Sequence, residues 1–261
     1  MRRRATRLVL VATAALLCLG IPAQAERNGE GDLVVTFNSG LSPSRLPRQT
    51  PAPVAVRVAG DVATEGDPSE LPQLRTIRIA INRQGHLFDR GLPVCNVGEI
   101  QPATEANARR VCGNAIIGSG HVRLLADIPT QPLYEVKAKL LAFNGPRRNG
   151  HKLILAQAYG RKPPGAFVLT FRVGRQSGTF GTVMSTTLPK DAQRWAYLTH
   201  FDMTLSRTYT YRGEQRSFVS AACGAPAGFD TIVFPFARAT YDFATGQSLT
   251  TTVARPCHVA D

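Results

Sequence analysis

His200 and Asp202 stand two residues apart in the run Thr199–Leu205, where polar and apolar side chains alternate. On an extended strand such a pair projects from one face, close enough to share a metal ion or relay a proton. The same alternation accounts for both residues without chemistry. If Thr199, Phe201, Met203 and Leu205 take a buried face, then His200, Asp202 and Thr204 simply meet water. The expectation is therefore no catalytic residue, no metal and no cofactor, with His200 and Asp202 the pair to examine for a metal ion.

The other patterns are negative. His86, His121, His151 and His258 form no H-x-x-H or H-E-x-x-H spacing, which leaves a metalloprotease without footing. No G-x-S-x-G elbow occurs. Gly118-Ser119-Gly120 is its nearest imitation, and glycines flanking a serine ordinarily mark a turn. Dinucleotide and P-loop glycine patterns are absent. Glu99, Glu105, Asp127, Glu135 and Asp202 make a pool of carboxylates that only the fold could gather into a hydrolase site.

Four cysteines, Cys95, Cys112, Cys223 and Cys257, follow an N-terminal stretch built like a secretory signal. Its parts are arginines at positions 2, 3, 4 and 7, an apolar run over 8–19, and Ala23-Gln24-Ala25 as the cleavage site. Cys18 falls inside the apolar run and leaves with it. An even cysteine number in an exported chain reads as two disulfides. The sequential pairing, Cys95 with Cys112 and Cys223 with Cys257, closes two local excursions and is favoured. The absence of C-x-x-C argues against zinc.

The elements that must position these residues are strands. Leu33, Val35 and Phe37, then Val54, Val56 and Val58, Ile77, Ile79 and Ile81, and Phe167, Leu169, Phe171 and Val173 each recur at period two. Tyr197–Cys223 looks like one long hairpin reversing at Arg212-Gly213-Glu214. The single convincing helix lies between Cys95 and Cys112, where Thr104 can cap. Tied at both ends, it is expected to sit as a lid on a sheet edge. The fold class is all-β: an antiparallel two-sheet sandwich, or a barrel-like version of one. Residues 1–25 form the signal peptide, 26–53 a first strand with a Pro-rich connector, 54–257 the sandwich and 258–261 a tail. Pro129–Pro132 is the place where that body would divide if it is two domains.

The full chain carries 31 Lys and Arg against 18 Asp and Glu. Removing the four leader arginines leaves a net +9. Arg147, Arg148 and Lys152 fall at one end of a predicted strand and Arg161 and Lys162 at the other, roughly 25 Å apart at about 3.3 Å per residue. The positive charge is thus spread over a surface that suits an acidic envelope polymer as partner. Aromatics fall on core-phased strands, which disfavours a nucleic-acid stacking platform. No transmembrane segment follows the leader.

The segments LPRQTPAPVAVRVAG (46–60), LRTIRIAINRQG (74–85), RGLPVC (90–95), LLAFNG (140–145), YTYRGEQRS (209–217) and ARPC (254–257) together resemble exported proteins of high-GC actinobacteria that carry no assigned activity. The resemblance implies secretion and a β fold and transfers no functional residue. The functional expectation is a secreted, non-catalytic binding or structural module of the cell envelope or medium. The alternatives are a carbohydrate-active or other hydrolase, marked by a groove with two carboxyls about 5 to 10 Å apart, and a carrier of lipid or another hydrophobic ligand, marked by a large apolar cavity.

Overall fold

The computed structural model describes residues 25–190 and 195–260. The leader assigned to residues 1–25 lies outside them, apart from Ala25. The chain opens with the antiparallel pair β1 (Glu26–Glu30) and β2 (Leu33–Ser42). Two short strands, β3 (Arg45–Leu46) and β4 (Ala52–Pro53), punctuate the Pro-rich stretch before β5 (Ala55–Thr64). Next come β6 (Leu74–Asn82), β7 (Gly85–Leu87) and two helices, α1 (Val97–Ile100) and α2 (Glu105–Cys112). A meander follows: β8 (Ile116–Ala126), β9 (Tyr134–Arg148), β10 (His151–Arg161), β11 (Pro164–Arg175) and β12 (Phe180–Thr187). After β13 (Ala196–Leu205) the small hairpin β14 (Thr208–Tyr211) and β15 (Glu214–Ser217) leads to β16 (Val219–Ala221), and the hairpin β17 (Thr231–Phe243) and β18 (Ser248–Val259) closes the chain.

Thirteen of these strands form one sheet, in the order β1-β2-β5-β13-β8-β9-β10-β11-β12-β6-β17-β18-β3. This corrects the two-sheet sandwich. Period-two alternation says that one face of a strand is buried, but not whether the opposing wall is a second sheet or the same sheet curled round. Here the sheet curls into a half-barrel, and side chains bridge its two ends. Asn28 Nδ2 donates to Thr250 O (2.9 Å), Arg255 Nε to Ser39 O (2.6 Å) and Tyr241 Oη to Thr36 O (3.1 Å). Near this seam the interior is filled by Phe37 and Tyr241, both fully buried. Gly60 makes room for Tyr241 and Phe201, because a Cβ there would stand 2.4 Å from Tyr241 Oη and 2.7 Å from the Phe201 ring.

Strand β8, before Pro129–Pro132, and β9, after it, pair as neighbours in this sheet. The long hairpin expected over Tyr197–Cys223 is instead two structures. Arg212 and Gly213, both at positive φ, do make a two-residue reversal, but only between β14 and β15. The return strand β16 leaves β13 and pairs with β4 and β7. Gly118-Ser119-Gly120 is not a turn either: it runs straight within β8. Its glycines are there for close approach, since a Cβ on Gly120 would lie 1.9 Å from Asp202 O and one on Gly118 2.2 Å from Thr204 O.

Both disulfides have the sequential pairing, Cys95–Cys112 and Cys223–Cys257, which marks an oxidising compartment. Thr104 caps α2 as expected, its Oγ1 accepting from Asn107 N, and α1 is an addition. The helical excursion does not sit on a sheet edge. Ile100, Ala108, Cys112 and Ala115 cover Leu141, Phe143, Leu153, Leu155 and Val168 on the outer face of β9, β10 and β11. Strand β10 is therefore apolar on both faces. Gln157 pins the cover from beneath, its Nε2 donating to Ile100 O and Ala103 O, each at 2.8 Å. Among the described residues no helix is long and apolar enough to cross a membrane.

Candidate functional site

The outer face of β13 carries the polar pair singled out by spacing. His200 Nδ1 lies 2.8 Å from Asp61 Oδ1, and the same carboxylate accepts from Thr36 Oγ1 at 2.8 Å. Asp202 has His121 as its register partner on β8, and the His121 and His200 rings are 5.2 Å apart. One ligand atom from each of His121, His200 and Asp202 falls within 4.8 Å of the others. His121 could not be found from spacing: only the β8–β13 register brings it opposite Asp202. Yet Arg57 Nε donates to both oxygens of Asp202, at 3.0 and 3.1 Å. Hydrogen bonding to Asp202 raises the Arg57 pKa further, so a permanent cation occupies the carboxylate a metal would need. In this cluster the carboxylates of Asp202 and Asp61 are already engaged, by Arg57 and by Thr36 and Arg123.

The remaining carboxylates are each engaged by neighbouring donors. Burial works to raise the Glu105 carboxyl, but bonds from Lys139 (3.0 Å) and Arg109 (3.1 Å) outweigh it and hold it below the usual range. Glu99 accepts from Asn96 N and so caps α1, and Asp127 accepts from Tyr197 Oη at 3.2 Å. Glu135 lies in a shallow groove with Asp61, and Arg123 stands between the two, 3.7 and 3.5 Å from them.

The inner face is where the fold leaves something unfilled. Strands β9 and β10 present Ala138, Leu140 and Ala142, then Ile154, Ala156 and Ala158, to the interior. Opposite them stand Val58, Ile77, Ile79, Phe201 and Met203. Of the β9 and β10 residues, Leu140 and Ala156 reach the lining of a cavity of about 620 Å³, and the short Ala156 side chain leaves that space unfilled. Its end toward the β10–β11 turn reaches the surface between Gln101, Pro164, Gly165 and Trp195, all exposed. Among the described residues, Gln101 is the one strongly polar side chain of the lining, and no charged group lines the space. A bulge between Leu198 and His200 completes the wall: it turns Leu198 inward in place of Thr199, whose hydroxyl bonds Arg123 O instead. A signal for this cavity was present in Ala156, but alternation counts alanine as core without asking whether it reaches across.

The basic residues separate as their spacing on β10 requires, with Arg147, Arg148 and Lys152 at one end and Arg161 and Lys162 at the other. Lys152 is not a surface residue. Its side chain is 7 % exposed, and Nζ sits 4.1 Å from the centre of the Phe218 ring. No family model, curated protein or solved structure matches this chain.

Proposed function

We propose that this is an exported carrier that holds an uncharged hydrophobic small molecule inside its curled sheet. The observation that carries the reading is the cavity of about 620 Å³ with an apolar wall and one open end. That size is within the roughly 300–1,000 Å³ of small-molecule pockets. Left empty, so large an apolar void would forfeit the dispersion contacts of every residue lining it. The described lining carries no charged group, which suits an enclosed ligand part of hydrocarbon or neutral ring structure, since an ion there would enter without a partner. A polar end can remain at the mouth, where Gln101 offers an amide. The two disulfides suit a protein that does this outside the cytosol, and the positive charge draws it toward acidic envelope polymers. The hydrolase reading loses support because the groove that holds two carboxyls, Asp61 and Glu135, has the Arg123 guanidinium between them, and the other candidates are engaged by arginine, lysine, tyrosine and cap contacts.

The test is solvent extraction and mass spectrometry of the secreted protein, with titration of the neutral fluorophore N-phenyl-1-naphthylamine. Saturable binding is expected, with Ala156→Phe weakening it at least tenfold, about 1.4 kcal/mol, and the outer-face change His200→Ala leaving it intact. Equal binding by the wild type and Ala156→Phe, or no binding and no extracted molecule, overturns the proposal.

A further inference from the structure

At the opposite end of the half-barrel from the cavity mouth, a second concavity of about 520 Å³ collects cations from separate parts of the chain. Arg83 comes from the β6–β7 turn, His86 from β7, Arg147 from the end of β9, His151 and Lys152 from the start of β10 and Arg175 from the end of β11. Asp89 is the one carboxylate in the lining among the described residues. Its two oxygens accept from Arg147 at 3.1 and 3.2 Å. Lys152 Nζ, buried, makes no hydrogen bond and stands 3.6 Å from the same carboxylate. Arg83 and Arg175 have no carboxylate partner among the described residues.

We infer that this concavity is a binding site for a multivalent oxyanion of the phosphate type, with Lys152 at its base and Arg83, Arg147 and Arg175 around it. Four full positive charges face one carboxylate, an excess of three before either histidine is protonated. A monovalent carboxylate would offset only a third of that, whereas a phosphate monoester or pyrophosphate matches the charge and supplies acceptors for arginine forks and for the lysine. The buried ammonium is the second observation. Burial, with help from Arg147 and against Asp89, lowers it to about 8, the mark of a cation short of counter-charge. An oxyanion beside Nζ supplies what Asp89 alone does not. The site needs nothing from the apolar cavity and stands or falls separately.

Isothermal titration of the secreted full chain with sodium pyrophosphate, in chloride buffer at pH 7, is the experiment. One saturable site is expected, with acetate at least tenfold weaker. Lys152→Met and the double change Arg83→Ala/Arg175→Ala should each reduce pyrophosphate affinity by about tenfold or more, and Arg161→Ala/Lys162→Ala by less than about twofold. Affinity should also fall from pH 7 to pH 9 in the wild type relative to Lys152→Met, as Lys152 loses its proton, the ionisation of pyrophosphate itself being common to both. The arginines are at the rim, so their double variant keeps the test valid if the lysine change disturbs folding. No saturation by about 10 mM pyrophosphate, or equal losses in the pocket and Arg161/Lys162 variants, overturns the inference, the latter by marking general charge attraction.

Discussion

Replacing Lys152 by Met removes the ammonium and keeps an unbranched stem in the same space. Folding takes this lysine from an ordinary 10.5 down to about 8 because burial penalises its charge. At about 1.36 kcal/mol per unit, that difference corresponds to about 3 kcal/mol. Below pH 8 both the folded and the unfolded chain hold the proton, and the full penalty stands. Between pH 8 and 10.5 the unfolded chain holds a proton that the folded chain has released, so stability rises with pH across that window. Lys152→Met should therefore be more stable than the wild type at pH 7, by up to about 3 kcal/mol, and the advantage should shrink toward pH 10. Urea denaturation of both proteins at the two pH values reads this directly. Taking the difference between them cancels Asp89, Arg147, Arg83, Arg175, His86 and His151, which surround the lysine and titrate or stay charged in both. A gap that does not change with pH, or a variant less stable at pH 7, refutes the assignment of Lys152 as a buried cation short of counter-charge.

Two further outcomes follow from the backbone and the cross-links. Gly120→Ala forces a methyl against Asp202 O, so the β8–β13 ladder must part locally, and thermal denaturation should show a loss of about 1–3 kcal/mol or more. Gly98→Ala, with open space around it, is the control. Removing Cys223–Cys257, which closes a 34-residue separation, should cost more than removing Cys95–Cys112, which closes 17. Chain entropy puts these at roughly 4 and 3 kcal/mol, and urea midpoints of the paired Cys→Ser variants would rank them.

Much of the frame could be read from residue order alone. Alternation in Ile77–Ile81 and Phe167–Val173 identified strands that bury Ile77, Ile79, Ile81, Leu169 and Phe171 and half-bury Phe167 and Val173, Thr104 announced the start of α2, and the short cysteine separations favoured the pairing found. What residue order withheld were matters of closure and register. Whether alternating strands stack as two sheets or curl as one depends on twist accumulated over many strands, which no local window contains. His121 meets Asp202, and Arg83 meets Lys152, only because particular strands become neighbours. Lys152 looked like a member of a surface cluster because two arginines precede it. The β9–β10 hairpin instead turns its side chain inward, one register step before the Ile154, Ala156, Ala158 face.

Strand β10 belongs to two apolar clusters at once, with Ile154, Ala156 and Ala158 in the barrel interior and Leu153 and Leu155 beneath the helices. The two compartments share a party wall. Losing β10 strips both, so the sheet interior cannot unravel at that strand and leave the helical cover in place.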